Sequence, residues 1–139
     1  MEYDPNDYQK LIEPILKNNA KVVYGSRLLN KMNKEISSFS FYIGGLVVTK
    51  ITNLLYRSNL TDEPTCYKVF KKEAIKDIQI TKNGFEWEPE ITAKLLKKGI
   101  NIQEVPISYY PRSRLEGKKI SWKDGLLAIW TLIKYRFIK

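Results

Sequence analysis

The chain has 139 residues, of which 43% are hydrophobic and 28% charged, a composition typical of one globular domain rather than a disordered tail. It contains no histidine and one cysteine, Cys66, which excludes an intrachain disulfide, a zinc site and any histidine-dependent nucleophilic mechanism. The net charge of +9 is uneven: residues 97–139 carry 10 basic and 3 acidic side chains, which indicates either a solvated face or a phosphate-bearing partner.

Residues 1–27 predict a helix followed by a short strand. Asp7 is a candidate N-cap for a helix that ends near Asn18, and Pro14 inside it should kink or shorten it. Residues 21–24 then predict a strand, which Gly25-Ser26-Arg27 closes. A helix that leads into a strand is half of a βαβ unit, so we expect the other half to precede residue 1.

The middle of the chain predicts a long helix and a short strand. Residues 39–56 keep a helical period of apolar side chains, although Gly44-Gly45 weakens the first turns. A polar loop over residues 59–64 separates this helix from a predicted strand over 66–70, in which we interpret Cys66 as a small buried side chain. A short helix should follow over 72–78.

The last part of the chain predicts two helices around an extended segment. One helix ends at Lys98-Gly99, and residues 100–109 are extended, with Pro106 marking an edge or a strand start. A basic loop over 110–121 precedes the final helix, 122–137. One face of that helix carries Trp122, Leu126, Ile129, Trp130, Ile133 and Phe137. We favour packing of this face in the core over contact with a membrane interface.

Six short segments appear in a fixed order along nearly the whole chain. They are Glu2-Tyr3-Asp4-Pro5, Val23-Tyr24-Gly25-Ser26-Arg27, Leu60-Thr61-Asp62 with Cys66-Tyr67-Lys68-Val69-Phe70, Gly84-Phe85-Glu86 to Glu90, Glu104-Val105-Pro106-Ile107-Ser108-Tyr109, and Glu116-Gly117-Lys118-Lys119-Ile120. In this order they resemble the C-terminal half of family 2 glycosyltransferases of the dolichyl- or polyprenyl-phosphate mannosyl- or glucosyltransferase type.

The resemblance implies an α/β fold: the C-terminal part of a GT-A, or nucleotide-diphosphosugar transferase, domain with an incomplete sheet and flanking helices. Residues 1–139 would form one partial domain that lacks the N-terminal nucleotide-binding half and its Asp-x-Asp motif. Mg²⁺ or Mn²⁺ is therefore expected only with that missing half. Because Glu2-x-Asp4 matches a segment downstream of the motif, we assign no metal ligand or cofactor to this chain.

The resemblance also implies roles for individual residues. Arg27 would contact the phosphate of the donor or of the lipid acceptor, the alternative being a surface ion pair. Asp62 would be the catalytic carboxylate, orienting the acceptor more than deprotonating it because a lipid phosphate is already anionic; the alternative is a turn aspartate. Glu88 and Glu90 can line the site, but for Glu90 we favour stabilisation of the N-terminus of the following helix. The basic loop would close over the diphosphate through Arg112, Arg114, Lys118 and Lys119. The alternative is that these four side chains are only solvated charges.

These expectations favour a glycosyltransferase segment that supports transfer of a hexose from a nucleotide sugar to a polyprenyl phosphate. Alone it should be inactive, so either a separately encoded N-terminal half completes it or the sequence is a fragment of a longer protein. Its open sheet edge favours self-association. One alternative is a basic module that binds an anionic membrane or RNA, although no nucleic-acid motif supports RNA. Another is a truncated product without function. With an acidic, polar N-terminus and no run of about 18 apolar residues, we expect a cytoplasmic chain peripheral to a membrane.

Overall fold

A computed structural model of the chain describes residues 2–33, 39–111 and 121–138. A short 3-10 helix, Pro5–Asp7, precedes the first α-helix. The remaining elements, in chain order, are α1 (Tyr8–Lys17), β1 (Val22–Ser26), α2 (Phe39–Tyr56), β2 (Lys68–Phe70), α3 (Lys72–Ile75), α4 (Trp87–Lys97), β3 (Ile102–Pro106) and α5 (Trp122–Phe137).

The described strands form one mixed sheet with β1 in the centre. β2 pairs antiparallel to β1, with Val22 opposite Phe70, and β3 pairs parallel to it, with Val22 opposite Ile102. All five residues of β1 are buried, which suits a central strand that carries two valines and the large aromatic side chain of Tyr24. The prediction of an α/β fold with flanking helices is confirmed at this level.

Two apolar clusters stabilise the arrangement, and α4 contributes to both. Its Leu95, fully buried, packs in a first cluster with Val22 and Tyr24 of the central strand. Its Ala93 lies in a second cluster with Leu132 of α5, where α2 also packs. Because α4 has residues in both clusters, it joins the sheet to the α2–α5 pair. Burial of each large aliphatic side chain contributes about 2 kcal/mol to stability.

Local details differ from the sequence predictions at the end of β1 and at the start of α1. Gly25 and Ser26 belong to the strand rather than to a turn, and the absence of a side chain at Gly25 lets Ile107 pack closely, since an added Cβ would lie 2.7 Å from Ile107 Cγ2. Asp7 precedes α1 but does not cap it through its side chain. Its carboxylate instead accepts a hydrogen bond from the Ser108 backbone N–H at 2.6 Å, which ties α1 to the segment after β3.

The final helix has the predicted bounds, but our interpretation of its apolar face as core is wrong for most of its residues. Trp122, Trp130 and Phe137 are 71%, 63% and 77% exposed, and Leu126 is exposed as well. The side of α5 that packs against α2 and α4 carries Ala128, Ile129, Leu132 and Tyr135 instead. Within the described ranges, no helix combines the length and apolar character needed to cross a membrane.

The strand predicted over 66–70 is shorter than expected, because it begins only at Lys68. Cys66 lies before it and is exposed, so its assignment as a small buried side chain is also wrong. The short helix predicted over 72–78 ends at Ile75.

Candidate functional site

The candidate site lies where the parallel strands β1 and β3 end. Arg27 directly follows Ser26, the last residue of β1, and Ser26 lies opposite Pro106, the last residue of β3. The loop after α2 reaches the same edge, because Thr61 Oγ1 lies 2.6 Å from Ser26 Oγ. In α/β folds the carboxyl edge of parallel strands is where ligands bind.

Arg27 and Asp62 form a two-pronged ion pair at this edge. The Arg27 Nε and Nη2 atoms donate to Asp62 Oδ2 and Oδ1, each at 2.7 Å, and the Arg27 backbone N–H donates to Oδ2 at 2.9 Å. The Asp62 side chain is only 4% exposed. Burial alone would lower the pKa of the guanidinium, but the bonds to Asp62 hold that pKa well above its ordinary value, so Arg27 stays charged.

Asp62 does not engage the whole guanidinium. It accepts hydrogen bonds from two of the five N–H donors that an arginine side chain carries, and the Tyr109 hydroxyl is a further partner of the same group. The Arg27 side chain remains 17% exposed, and its Cζ lies 5.1 Å from the centre of the Tyr109 ring. Both carboxylate oxygens of Asp62 are occupied, so this arrangement suits Asp62 to orienting Arg27 rather than to removing a proton.

Glu104 supports the loop that carries Asp62. Its Oε1 accepts the backbone N–H of Asp62 at 3.0 Å, and its Oε2 accepts the backbone N–H and the hydroxyl of Thr61 at 2.8 and 2.9 Å. Burial raises the pKa of Glu104 above its ordinary value, although these hydrogen bonds oppose the rise. Glu104 has no predicted role from the sequence, because the residues that bind its carboxylate come from a distant loop.

A second buried ion pair lies next to the first. The Lys68 Nζ atom, on a side chain 1% exposed, is 3.5 Å from Glu88 Oε2 and 4.8 Å from the centre of the Tyr24 ring. Lys68 also donates to the backbone carbonyls of Glu63 and Thr65. Burial raises the pKa of Glu88, and the positive charges of Lys68 and Arg27 oppose this rise. Glu88 is therefore close enough to Arg27 to interact with it electrostatically. The sequence analysed alone assigned no role to Lys68. The one feature that could have indicated a buried lysine is its place at the start of a β-rich run.

Glu63 is a buried carboxyl group beside Asp62. It is fully buried, and neither of its carboxyl oxygens has a hydrogen-bond partner within the described part of the chain. Burial raises its pKa to about 7, with Lys68 opposing and Glu88 adding to the rise. Near neutral pH this carboxyl group is therefore about half protonated.

Glu90 occupies a different place from the other predicted site residues. Its carboxylate accepts hydrogen bonds from the Thr81 hydroxyl and Tyr135 hydroxyl, both at 2.9 Å, and from Lys94 at 2.5 Å. Although burial opposes it, this bonding lowers the pKa of Glu90 to about 2. Glu90 thus joins α4 to the segment before it and to α5, and the structure does not bring it together with Arg27.

The remaining predicted residues are four cations of the basic loop. Arg112, Arg114, Lys118 and Lys119 lie outside the described residues. Within the described ranges, no group of three cysteine or carboxylate side chains lies close enough to hold a metal ion. The described residues therefore offer no ligand set for the Mg²⁺ or Mn²⁺ that the resemblance associates with the nucleotide-binding half.

Comparisons with known proteins identify relatives along most of the chain. A low-salt glycan biosynthesis hexosyltransferase, Agl6, of Haloferax volcanii is 25% identical over 98% of this chain, and the glycosyltransferase AglJ of the same organism is 24% identical over 79%. The chain is similar to glycosyltransferases. A UDP-N-acetylglucosamine–dolichyl-phosphate N-acetylglucosaminyltransferase of Methanococcus voltae is 31% identical over 76% of the chain.

The matched region is only part of each of these glycosyltransferases. It covers 32% of the hexosyltransferase Agl6, 36% of AglJ and 43% of the Methanococcus voltae enzyme. No family model matches the chain, and no solved structure matches it significantly. The chain therefore spans less than half the length of each of these three glycosyltransferases.

Proposed function

We propose that the chain contributes the acceptor-phosphate site for transfer of a hexose from a nucleotide sugar to a polyprenyl phosphate. The observation that carries the proposal is the Arg27 guanidinium, which Asp62 fixes in place through two of its five N–H donors while the side chain stays partly exposed. An arginine fork held in this way suits phosphate oxygens. The dolichyl-phosphate specificity in the name of the Methanococcus voltae relative supports the choice of acceptor.

The reaction we propose is a direct displacement. An oxygen of the acceptor phosphate forms a bond to the anomeric carbon of the sugar, and the bond from that carbon to the nucleotide diphosphate breaks. Because the attacking phosphate is already anionic, the step needs no strong base. Arg27 would bind and orient the phosphate, and Asp62 would hold Arg27 in place. Arg112, Arg114, Lys118 and Lys119 would neutralise charge on the departing diphosphate.

We further propose that residues 1–139 belong to a GT-A domain whose nucleotide-binding half is supplied by other residues. The similarity to only about a third to two fifths of each relative supports this division. The intact mass of the polypeptide that carries this segment in its native cells tests the idea. A longer chain with an upstream Asp-x-Asp motif is expected. A 139-residue product with no partner that binds nucleotide would contradict it.

Phosphate binding can be tested on the chain itself. We expect farnesyl phosphate to bind and uncharged farnesol to bind at least tenfold more weakly, measured by calorimetric titration. Replacing Arg27 by alanine should lower the affinity for farnesyl phosphate about 10- to 100-fold, because hydrogen bonds to charged groups contribute about 1.5–3 kcal/mol. Arg136→Ala removes the same side chain from the far end of α5 and is the matched control. An unchanged affinity in Arg27→Ala would refute the phosphate site.

We also propose that the exposed face of α5 contacts an anionic membrane surface. Trp122, Leu126, Trp130, Ile133 and Phe137 recur every three or four residues and are exposed together. Residues 97–139 carry a net charge of +7, which complements anionic lipid headgroups. A polyprenyl phosphate resides in such a membrane, so this face would bring the site to its acceptor.

Vesicle sedimentation tests the membrane contact. We expect the chain to pellet with vesicles that contain phosphatidylglycerol and to remain in the supernatant with pure phosphatidylcholine. Trp130→Ser should weaken pelleting several-fold, whereas Tyr135→Ser, on the packed side of α5, should act mainly on stability. Equal pelleting of Trp130→Ser and the unmodified chain would count against this face. Salt-sensitive binding to RNA without vesicle binding would favour the RNA-binding alternative instead.

A further inference from the structure

The carboxylate of Glu104 is committed to the loop that carries Asp62. Its two oxygens receive three hydrogen bonds at 2.8–3.0 Å, all from Thr61 and Asp62. Glu104 itself is held in β3 by parallel pairing opposite Tyr24 of the central strand. A rigid strand therefore holds a loop that belongs to neither a helix nor a strand.

We propose that Glu104 is a positioning residue that sets the direction of the Arg27 guanidinium through Asp62. The backbone N–H groups of Thr61 and Asp62 are adjacent in the chain, and each donates to a different oxygen of the Glu104 carboxylate. Fixing the backbone of Asp62 fixes the two oxygens that hold Arg27 Nε and Nη2. The inference rests on the proposed function, in which Arg27 binds the acceptor phosphate.

Glu104→Gln is the informative substitution because it keeps the shape of the side chain. The amide oxygen can still accept hydrogen bonds, but the amide nitrogen is a donor and cannot accept from the N–H group that faced the oxygen it replaces. We expect the affinity for farnesyl phosphate to fall about tenfold, measured by calorimetric titration. Glu13→Gln makes the same chemical change at an exposed position of α1 and should leave the affinity unchanged.

A double-mutant cycle separates positioning from a general loss of stability. In an Arg27→Ala background, Glu104→Gln should cause no further loss of farnesyl phosphate affinity, because the residue through which it acts is absent. A loss of affinity of the same size in both backgrounds would mean that Glu104 acts by another route, and would overturn the proposal.

The Arg27 Nε–H group gives a readout that needs no ligand. In ¹H–¹⁵N spectra of the unmodified chain, its hydrogen exchange should be slow because Asp62 accepts the bond at 2.7 Å. Glu104→Gln should accelerate that exchange at least tenfold, whereas a purely structural role would lower thermal stability and leave this exchange in the folded state unchanged. Thr61→Val keeps the carboxylate, removes one of its three bonds and also removes the contact of the Thr61 hydroxyl with Ser26 Oγ. Because the Asp62 backbone bond to Glu104 remains, this variant should accelerate exchange less than Glu104→Gln, and it replaces Glu104→Gln if that variant does not fold.

The outcomes distinguish this inference from the proposed function. If Arg27→Ala leaves farnesyl phosphate affinity unchanged, the phosphate site itself is refuted, and the role of Glu104 in binding falls with it. If Arg27→Ala weakens binding while Glu104→Gln changes neither the affinity nor the Arg27 exchange, the positioning role is refuted and the phosphate site stands.

Discussion

Replacing Glu63 by glutamine should change how the stability of the chain depends on pH. Glu63 is fully buried without a hydrogen-bond partner in the described part of the chain, and its pKa is raised from 4.5 to about 7. The folded state therefore holds this proton more tightly than the unfolded state does. The stabilisation from the protonated carboxyl group is complete below pH 4.5 and is lost as the pH rises through about 7.

The pKa difference sets the expected magnitude. A pKa raised from 4.5 to about 7 corresponds to about 3 kcal/mol of unfolding free energy. Glutamine has a similar shape and does not ionise. The free energy of unfolding of Glu63→Gln, minus that of the unmodified chain, should therefore rise by about 3 kcal/mol between pH 4.5 and pH 8.

Urea unfolding followed by tryptophan fluorescence at several pH values between 4 and 8 measures this difference. Glu88 and Glu104 also have raised pKa values, and both chains contain them. The contribution of Glu104 cancels in the subtraction, whereas Glu88, whose charge adds to the pKa rise of Glu63, is part of the measured difference. Glu13→Gln, in which an exposed carboxylate is replaced, should show no such rise. A Glu63→Gln difference that stays constant over this pH range would refute the inference that Glu63 is a buried acid protonated in the folded state.

Three further substitutions test the packing. Gly44→Ala should raise the free energy of unfolding by up to about 1 kcal/mol in urea titrations, because Gly44 lies inside α2 and no described atom is within 4 Å of an added methyl group. A free energy of unfolding below that of the unmodified chain would contradict this open space. Gly25→Ala should instead cost about 1–3 kcal/mol, because its methyl group meets Ile107, and an unchanged urea midpoint would contradict this contact. Glu90→Gln should lower stability by about 3 kcal/mol at pH 7, and the difference should shrink as the pH falls from 4.5 to 2 because the pKa of Glu90 is lowered to about 2. A loss independent of pH would refute the assignment of Glu90 as a hydrogen-bonded carboxylate.

Local sequence patterns were sufficient for the long helices. The apolar periods over 39–56 and 122–137 predict α2 and α5 with the bounds that the structure has. The same periods say which residues share a face, but they do not say which face the rest of the chain covers. On α5 that choice depends on α2 and α4, and the side with Ala128 and Leu132 packs against them while Trp130 stays exposed.

The site was harder to predict because its contacts join distant segments. Arg27 and Asp62 were each singled out, but their ion pair crosses 35 residues and nothing local specifies it. Glu104 contacts Thr61 across 43 residues, and only the parallel pairing of β3 with β1 brings it there. The sequence favoured a helix N-terminal role for Glu90, but it did not indicate that the carboxylates of Glu88 and Glu90 pair with different lysines.

The pairing of β1 with β3 has a consequence for synthesis of the chain. Val22 cannot pair with β3 until Ile102, 80 residues further along the polypeptide, has been synthesised. At about 5–20 residues per second, the ribosome needs about 4–16 s to add those residues. Throughout this interval the fully apolar Val22-Val23-Tyr24 segment lacks its β3 partner. A nascent chain stalled before residue 102 should therefore engage chaperones more strongly than one stalled after β3 has emerged.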